Sequence, residues 1–279
     1  LFGRNSSAGV VSLKSRQPGD ALESEISLTI GEYNTREYGI FTSAPLENGM
    51  SYTFSLGHSE RDGFVKNTTL GSYEDYREHT GGRFNLYFDA SDGLEVNLGI
   101  AVDKFDDGAQ GLVGIVNPIT GIRNNNYFSN AANEAAVTQI DRDQEWIKLT
   151  RKLDSGTLTS ITSLLNWELS PNVQDLDFSD LDYTSFGMMD LNMSSRIIQS
   201  QKTLTQELRF EGNSEGSFAW KGGLFYLDGE LDGTGAREFP IEAMGVREQQ
   251  VTQHTIDEEN MGVFASFEYS YSERTKLFG

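Results

Sequence analysis

Large apolar and small polar side chains alternate with a period of two along most of this chain. In Met50–Gly57 the residues Met50, Tyr52, Phe54 and Leu56 fall on one face, while Ser51, Thr53, Ser55 and Gly57 fall on the other. Leu94, Val96, Leu98, Ile100 and Val102 alternate in the same way with Glu95, Asn97, Gly99, Ala101 and Asp103. Val263, Ala265, Phe267 and Tyr269 alternate with Phe264, Ser266, Glu268 and Ser270. Each run predicts a strand with one apolar face and one wettable face. Full strands are predicted at 22–31, 35–43, 50–60, 73–88, 94–106, 143–153, 157–169, 200–211, 217–231 and 258–270, and another starts in Thr275–Gly279. Most are roughly ten residues or a little more, the length a tilted strand needs to cross a hydrocarbon layer. Strands of a soluble sandwich are usually shorter.

The connections sharpen this picture. Tight polar turns are predicted at Ala44–Gly49, Asp89–Gly93, Asp154–Gly156, Gly212–Gly216 and Tyr271–Arg274, alternating with long connections at Arg61–Ser72, Asp107–Arg142, Ser170–Gln199 and Asp232–Asp257. In an antiparallel meander, that rhythm gathers every large loop at one end of the sheet, the layout of an outer-membrane barrel with short turns inside and long loops outside. The expected fold is therefore all-β, an antiparallel up-and-down meander forming part of a transmembrane barrel. The five prolines, Pro18, Pro45, Pro118, Pro171 and Pro240, are expected in connections, because proline cannot donate to a strand ladder. Tyr52, Tyr87, Phe88, Trp146, Trp167, Trp220, Tyr226, Tyr269 and Tyr271 lie mostly near predicted strand ends, where aromatic rings suit a water–lipid boundary.

Composition then removes other classes. The 279 residues are 37% hydrophobic, and no stretch approaches the ~18 apolar residues of a membrane helix. A formal charge of -20 argues against a nucleic-acid partner. Zero cysteines exclude disulfides, thiolate metal sites and cysteine nucleophiles. The acids Asp175, Asp177, Asp180 and Asp182, and Asp257, Glu258 and Glu259, are read as solvated loop charge. Calcium can bind such carboxylates, but they lack EF-hand spacing. No catalytic constellation is found: by strand parity His58 and His79 point to opposite faces, and His254 falls in a predicted loop. No catalytic residue, resident metal or cofactor is expected. Asn67-Thr-Thr matches a glycan acceptor and is read as coincidental. Ser129–Ile140 is predicted as a short helix, capped by Ser129 or Asn130 and rich in alanine.

Leu1–Pro18, LFGRNSSAGVVSLKSRQP, resembles the end of the plug domain of TonB-dependent outer-membrane receptors. Leu158–Trp167 (LTSITSLLNW), Thr205–Phe210 (TQELRF), Gly222–Asp228 (GGLFYLD) and Val263–Leu277 resemble successive barrel strands of that family. The resemblance implies a plug inside a barrel of about 22 strands, of which this chain would hold a plug remnant, 1–20, and the first barrel half, 21–279. On this reading neither end of the chain is a natural terminus. The family likeness also implies the bacterial outer membrane and its lipid as surroundings, a TonB-type energy-coupling protein acting through the missing plug region, and a bulky scarce nutrient as ligand. Ferric siderophores are the leading class, with cobalamin, haem and oligosaccharides as competitors. A passive porin or channel is the alternative function, and a surface adhesin a third; an autonomous ten-stranded barrel is the structural rival.

Two sets of residues follow as candidates. Asn124, Asn125, Asn126, Tyr127 and Phe128 in one long connection, and Phe178, Tyr183 and Phe186 in another, combine hydrogen bonding with stacking and are expected to meet ligand. Arg4 and Arg16 are expected to enter the lumen and meet barrel acids such as Glu95, Glu207 and Glu268. Strand parity puts Glu207 and Arg209 inside and Leu208 towards lipid.

Overall fold

The computed structural model describes residues 15–108, 128–176, 182–183, 189–190, 194–213, 217–241, 246–272 and 275–279. Its strands in chain order are β1 (Glu23–Ile30), β2 (Arg36–Pro45), β3 (Ser51–Arg61), β4 (Val65–Asn67), β5 (Tyr73–Glu74), β6 (Arg77–Ser91), β7 (Leu94–Asp107), β8 (Ser129–Asn130), β9 (Val137–Leu153), β10 (Gly156–Asp175), β11 (Asp182–Tyr183), β12 (Met189–Asp190), β13 (Ser194–Gly212), β14 (Phe218–Ile241), β15 (Val246–Ser272) and β16 (Thr275–Phe278).

One eleven-stranded sheet runs β1-β2-β3-β6-β7-β9-β10-β13-β14-β15-β16, every neighbour antiparallel to the next. It is an open meander: β1 and β16 are its edges, and β1 does not pair with β15. The ten-stranded closed barrel is thus overturned. Short turns join the strands at one end, as at Asn48–Gly49, where φ of 58° and 73° gives the mirror-image turn that suits the twist of a hairpin. Residues 62–76, 108–136 and 176–193 connect strands at the other end.

Which face is which follows from the register and from exposure. Ile26, Leu28, Ile40, Phe54, Leu56, Phe84, Ile100, Leu208, Leu224 and Val263 are exposed on one face, while Thr53, Asn85, Ala101, Thr159 and Thr203 are buried on the other. The apolar belt crosses the hydrogen-bonded rows diagonally. One row carries Ile26, Ile40, Leu56 and Val102 near β1, then Asp143, Asn166, Lys202, Glu230 and Asp257 towards β15. Another, nearer the turns, carries Phe88, Val96, Leu149, Leu208, Leu224 and Val263. Tilted strands make such rows slant against a barrel axis, so a level apolar belt must step from row to row.

Four expectations need correction. Ser129–Ile140 is not a helix: β8 occupies Ser129–Asn130 and β9 begins at Val137, because backbone pairing with β4 and the sheet outweighs alanine's helix propensity. The connection expected at Ser170–Gln199 narrows to 176–193, since β10 reaches Asp175 and β13 starts at Ser194, and that expected at Asp232–Asp257 is largely strand, since β14 and β15 leave only 242–245 between them. Pro45, Pro171 and Pro240 lie within strands. Pro171 sits at the register shift between Leu169 and Asn172, and Pro240 lies beyond Glu238, the last β14 residue paired with β13, so neither removes a bond from a full ladder. Tyr87, Trp146 and Trp167 share the inner face rather than the lipid boundary, as the register with Ser51, Gly99 and Arg142 requires. Phe218, Trp220, Phe267 and Tyr269 do form an exposed aromatic group at the turn end.

Candidate functional site

The inner face carries the chemistry. Towards the middle of the wall Ser15–Gln17 run against it. Arg16 donates to Glu25 at 3.1 Å and stacks its guanidinium 4.4 Å from the centre of the Phe41 ring. Arg83 donates to the Ser15 hydroxyl at 2.8 Å and lies 5.1 Å over the Trp146 ring. Trp146 in turn donates its indole N–H to Asn97 at 2.9 Å and covers Gly99, where any Cβ would meet the ring. Exposed ion pairs contribute ~0–1 kcal/mol and exposed cation–π contacts ~0.5–1 kcal/mol, so these contacts set the path of the segment more than its stability.

Arg16's partner is therefore Glu25, not the acids expected from the sequence. Those acids already have cations of the sheet itself. Lys152 meets Glu95 at 2.5 Å, Arg209 meets Glu207 at 3.1 Å and Glu211 at 3.1 Å, and Lys276 meets Glu268 at 2.5 Å. Each pair is intrastrand or between neighbouring strands, where cross-strand proximity wins over a distant segment. Glu207 and Arg209 lie on the inner face and Leu208 is exposed on the outer one, as the parity predicted. Arg4 lies outside the described residues.

Nearer the loops, the wall presents a ledge of arginine, histidine and aromatic side chains that the sequence alone did not single out. His79 stacks on Phe105 with ring centres 4.3 Å apart, and its Nε2 lies 3.0 Å from Asp103 Oδ1. Arg142 donates two hydrogen bonds to Asp103 Oδ2, from Nε at 3.2 Å and Nη2 at 2.5 Å. Trp167 pairs in register with Arg142. Arg142 keeps 45% of its side chain exposed while Asp103 keeps 16%. The acid orients the guanidinium and leaves it accessible to an anionic or planar group.

Above the sheet, β4, β5 and β8 form a small three-stranded cap. Tyr33, Phe64 and Phe128 make an aromatic chain with centre separations of 5.8 and 6.2 Å, and Arg61 lies 4.8 Å over Phe64. Arg61 also grips Asp75 at both its carboxylate, 2.8 Å, and its carbonyl, 2.7 Å. Tyr76 donates to Asp106 at 3.0 Å, and its hydroxyl is pushed up to about 12 by burial and then by that carboxylate. Burial, and next the nearby Asp175, raise the Glu134 carboxyl.

A polar node holds this cap together. Asn67 is fully buried and uses all four hydrogen-bonding positions: Oδ1 accepts from Thr69 N at 3.0 Å and Leu70 N at 2.9 Å, and Nδ2 donates to Glu74 at 2.5 Å and to the Ala132 carbonyl at 2.9 Å. Asn130 donates to the other Glu74 oxygen. The sequence carried a signal for the Asn67 turn, though not for its contacts with Glu74 and Ala132. Asn followed by two threonines favours a side-chain turn onto the backbone two residues on, which the glycan reading obscured.

Of the ligand candidates, Phe128 is 62% exposed beside Phe64 at the loop end. Tyr183 pairs with Met189 in the two-residue ladder β11–β12. Asn124, Asn125, Asn126, Tyr127, Phe178 and Phe186 lie outside the described residues.

No protein-family profile matches the sequence. Solved structures do match the fold. The siderophore receptor PiuA from Acinetobacter baumannii aligns with a TM-score of 0.65 at 14% identity, over 95% of this chain and 46% of that one. The ferric yersiniabactin uptake receptor FyuA from Yersinia pestis aligns with a TM-score of 0.67 at 12% identity, over 95% and 47%. The ferripyoverdine receptor of the Pseudomonas aeruginosa outer membrane aligns with a TM-score of 0.63 at 13% identity, over 94% and 37%. The chain spans under half the length of these structures. Its fold is that of part of a TonB-dependent receptor barrel.

Proposed function

We propose that this chain is the last stretch of a plug, residues 1–20, followed by the first barrel half, residues 21–279, of a TonB-dependent receptor in the bacterial outer membrane. The observation that carries this reading is the seat of Ser15–Gln17 on the inner face, at Glu25, Phe41 and Arg83. A passive porin would have the same strands but no plug. The diagonal apolar belt supports lipid as the outer partner.

The ligand of the whole protein is a bulky anionic chelate, with ferric siderophores as the class proposed. Arg142, His79 and Trp167 on the ledge, and Phe128 with Asn124, Asn125, Asn126, Tyr127, Phe178, Tyr183 and Phe186 in the loops, are the proposed contacts. An energy-coupling protein of the TonB type acts on the plug. Transport, not catalysis, is the proposed activity.

The test is accumulation of radiolabelled ferric chelates by cells carrying the full-length receptor, with and without the coupling protein. Accumulation that needs both the receptor and the coupling protein supports the proposal. Equal uptake without the coupling protein makes it a passive channel.

A further inference from the structure

We infer that the inner face of β13, β14 and β15, beyond the apolar belt, carries a second ligand site, one that takes an acidic saccharide: a polyhydroxyl bearing a carboxylate or a phosphate. The site lies apart from the ledge at Arg142 and does not depend on a ferric chelate being the cargo.

A cavity of about 300 Å³ opens on the wall between β13 and β15. Its floor is β14. The register sets inward-facing Gly233 between Gln199 and His254, and Gly235 between Ile197 and Thr252. Neither ladder shifts register here, so no bulge accounts for the two glycines. Glycine inside a strand otherwise marks a place where another group approaches the backbone closely. At Gly233 the His254 ring does so, whereas a Cβ at Gly235 would meet nothing within 4 Å. The room for a ligand is above Gly235.

The side chains around that space are a second, independent observation. Ser195 and Gln199 line it from β13, Arg237 from β14, and Gln250, Thr252 and His254 from β15. Among the described residues none of these six side chains makes a hydrogen bond or an ion pair. Elsewhere on the inner face polar side chains satisfy one another, Gln144 with Ser163, Asn85 with Thr53 and Trp146 with Asn97. The cavity is thus ringed by hydrogen-bonding groups that the fold itself does not use.

Their chemistry selects the ligand. The amides of Gln199 and Gln250 and the hydroxyls of Ser195 and Thr252 each donate and accept. Sugar hydroxyls do both as well, whereas the acceptor-only oxygens of a carboxylate-rich chelate need donors alone. Arg237 adds one donor-only fork, suited to a single carboxylate or phosphate. No acidic side chain of the described residues lines the cavity, and Ile197 offers an apolar surface to the C–H face of a sugar ring. A volume of this size sits at the lower end of small-molecule sites, ~300–1,000 Å³. In the sheet β14 stands three strands from β9, which carries Arg142, roughly 14 Å at ~4.8 Å per strand, so the two places act as separate sites.

The experiment is calorimetric titration of the full-length protein in detergent with digalacturonate, sialyllactose and trehalose 6-phosphate, each beside its neutral counterpart: methyl-esterified digalacturonate, lactose and trehalose. At least one acidic saccharide should bind, and its neutral counterpart should bind roughly tenfold or more weakly. Arg237→Gln should bring the acidic saccharide down to the level of the neutral one. Gly235→Leu fills the cavity and should abolish binding, with hydrogen exchange over 194–199, 233–238 and 249–254 showing that the strands persist. Arg237→Gln, at an exposed position, decides the matter if Gly235→Leu loses the hairpin. Arg142→Gln on the ledge should leave binding unchanged. No binding of any acidic saccharide, equal binding of acidic and neutral partners, undiminished binding by Arg237→Gln or by a folded Gly235→Leu, or loss of binding in Arg142→Gln would each overturn the inference.

Discussion

Two structures rise beyond the apolar belt at the loop end, and they are ordered by opposite means. The cap of β4, β5 and β8 has little ladder, and β4 pairs with β5 through only Val65–Glu74 and Lys66–Tyr73. It is held by buried side chains, with Asn67 at 0% and Val65 at 3% exposure. The β14–β15 hairpin is the reverse case. Its ladder continues from Phe218–Tyr269 to Ile241–Val246, while outward Asp228, Glu230, Asp232, Asp257 and Glu259 offer no apolar face. A cap with few backbone bonds is vulnerable to single side chains; a continuous ladder is not.

The comparison breaks most easily at Asn67. Asn67→Ala leaves the buried Ala132 carbonyl and one buried Glu74 oxygen without their partner, together with the backbone N–H groups of Thr69 and Leu70. At ~1–3 kcal/mol for each unsatisfied group, we expect a loss of about 3 kcal/mol or more, read as lost hydrogen-exchange protection over 64–76 and 128–136. Gly63→Ala should come next. A Cβ there would lie 2.1 Å from the Glu74 carbonyl oxygen, a backbone atom that cannot swing aside. Its expected cost is about 1–3 kcal/mol, confined to the same segments.

The hairpin should respond weakly. Thr255→Ala removes an exposed 2.6 Å bond to Asp232 and is expected to change hairpin protection by no more than ~0.5 kcal/mol. Gly235→Ala is the smallest effect. A Cβ there meets nothing within 4 Å, and alanine in a strand should be neutral or stabilise by a few tenths of a kcal/mol. Should Gly235→Ala unfold the hairpin while Gly63→Ala leaves the cap intact, the comparison is reversed.

The same contrast explains what was legible in the sequence. Where strands cross the belt, an apolar outer face and a wettable inner face give the period of two, and Met50–Gly57, Leu94–Asp103 and Val263–Ser270 were read with their faces correct. Beyond the belt both faces are wet, so Asp232–Ile241 and Val246–Asp257 lose the apolar alternation and read as loop, although the ladder persists. The cap was illegible for another reason. Its order comes from Asn67, Glu74 and Asn130, 7 residues apart in one case and 56 in the other, and no local pattern announces a buried polar contact between loops. Arg16 was found as a contact of the inner wall, but its partner was not, because Glu25 and Phe41 become its neighbours only through the β1–β2 register.

The two-faced wall is the central claim, and the absence of cysteine from the chain makes it directly measurable. Single cysteines at positions 204 to 210 of β13, introduced into the full-length protein, spin-labelled and placed in lipid vesicles, report accessibility to oxygen dissolved in lipid and to a water-soluble nickel chelate. The account predicts oxygen-accessible labels at Leu204→Cys, Gln206→Cys, Leu208→Cys and Phe210→Cys, and labels shielded from oxygen at Thr205→Cys, Glu207→Cys and Arg209→Cys. An oxygen-accessible Glu207→Cys beside a shielded Leu208→Cys would contradict it.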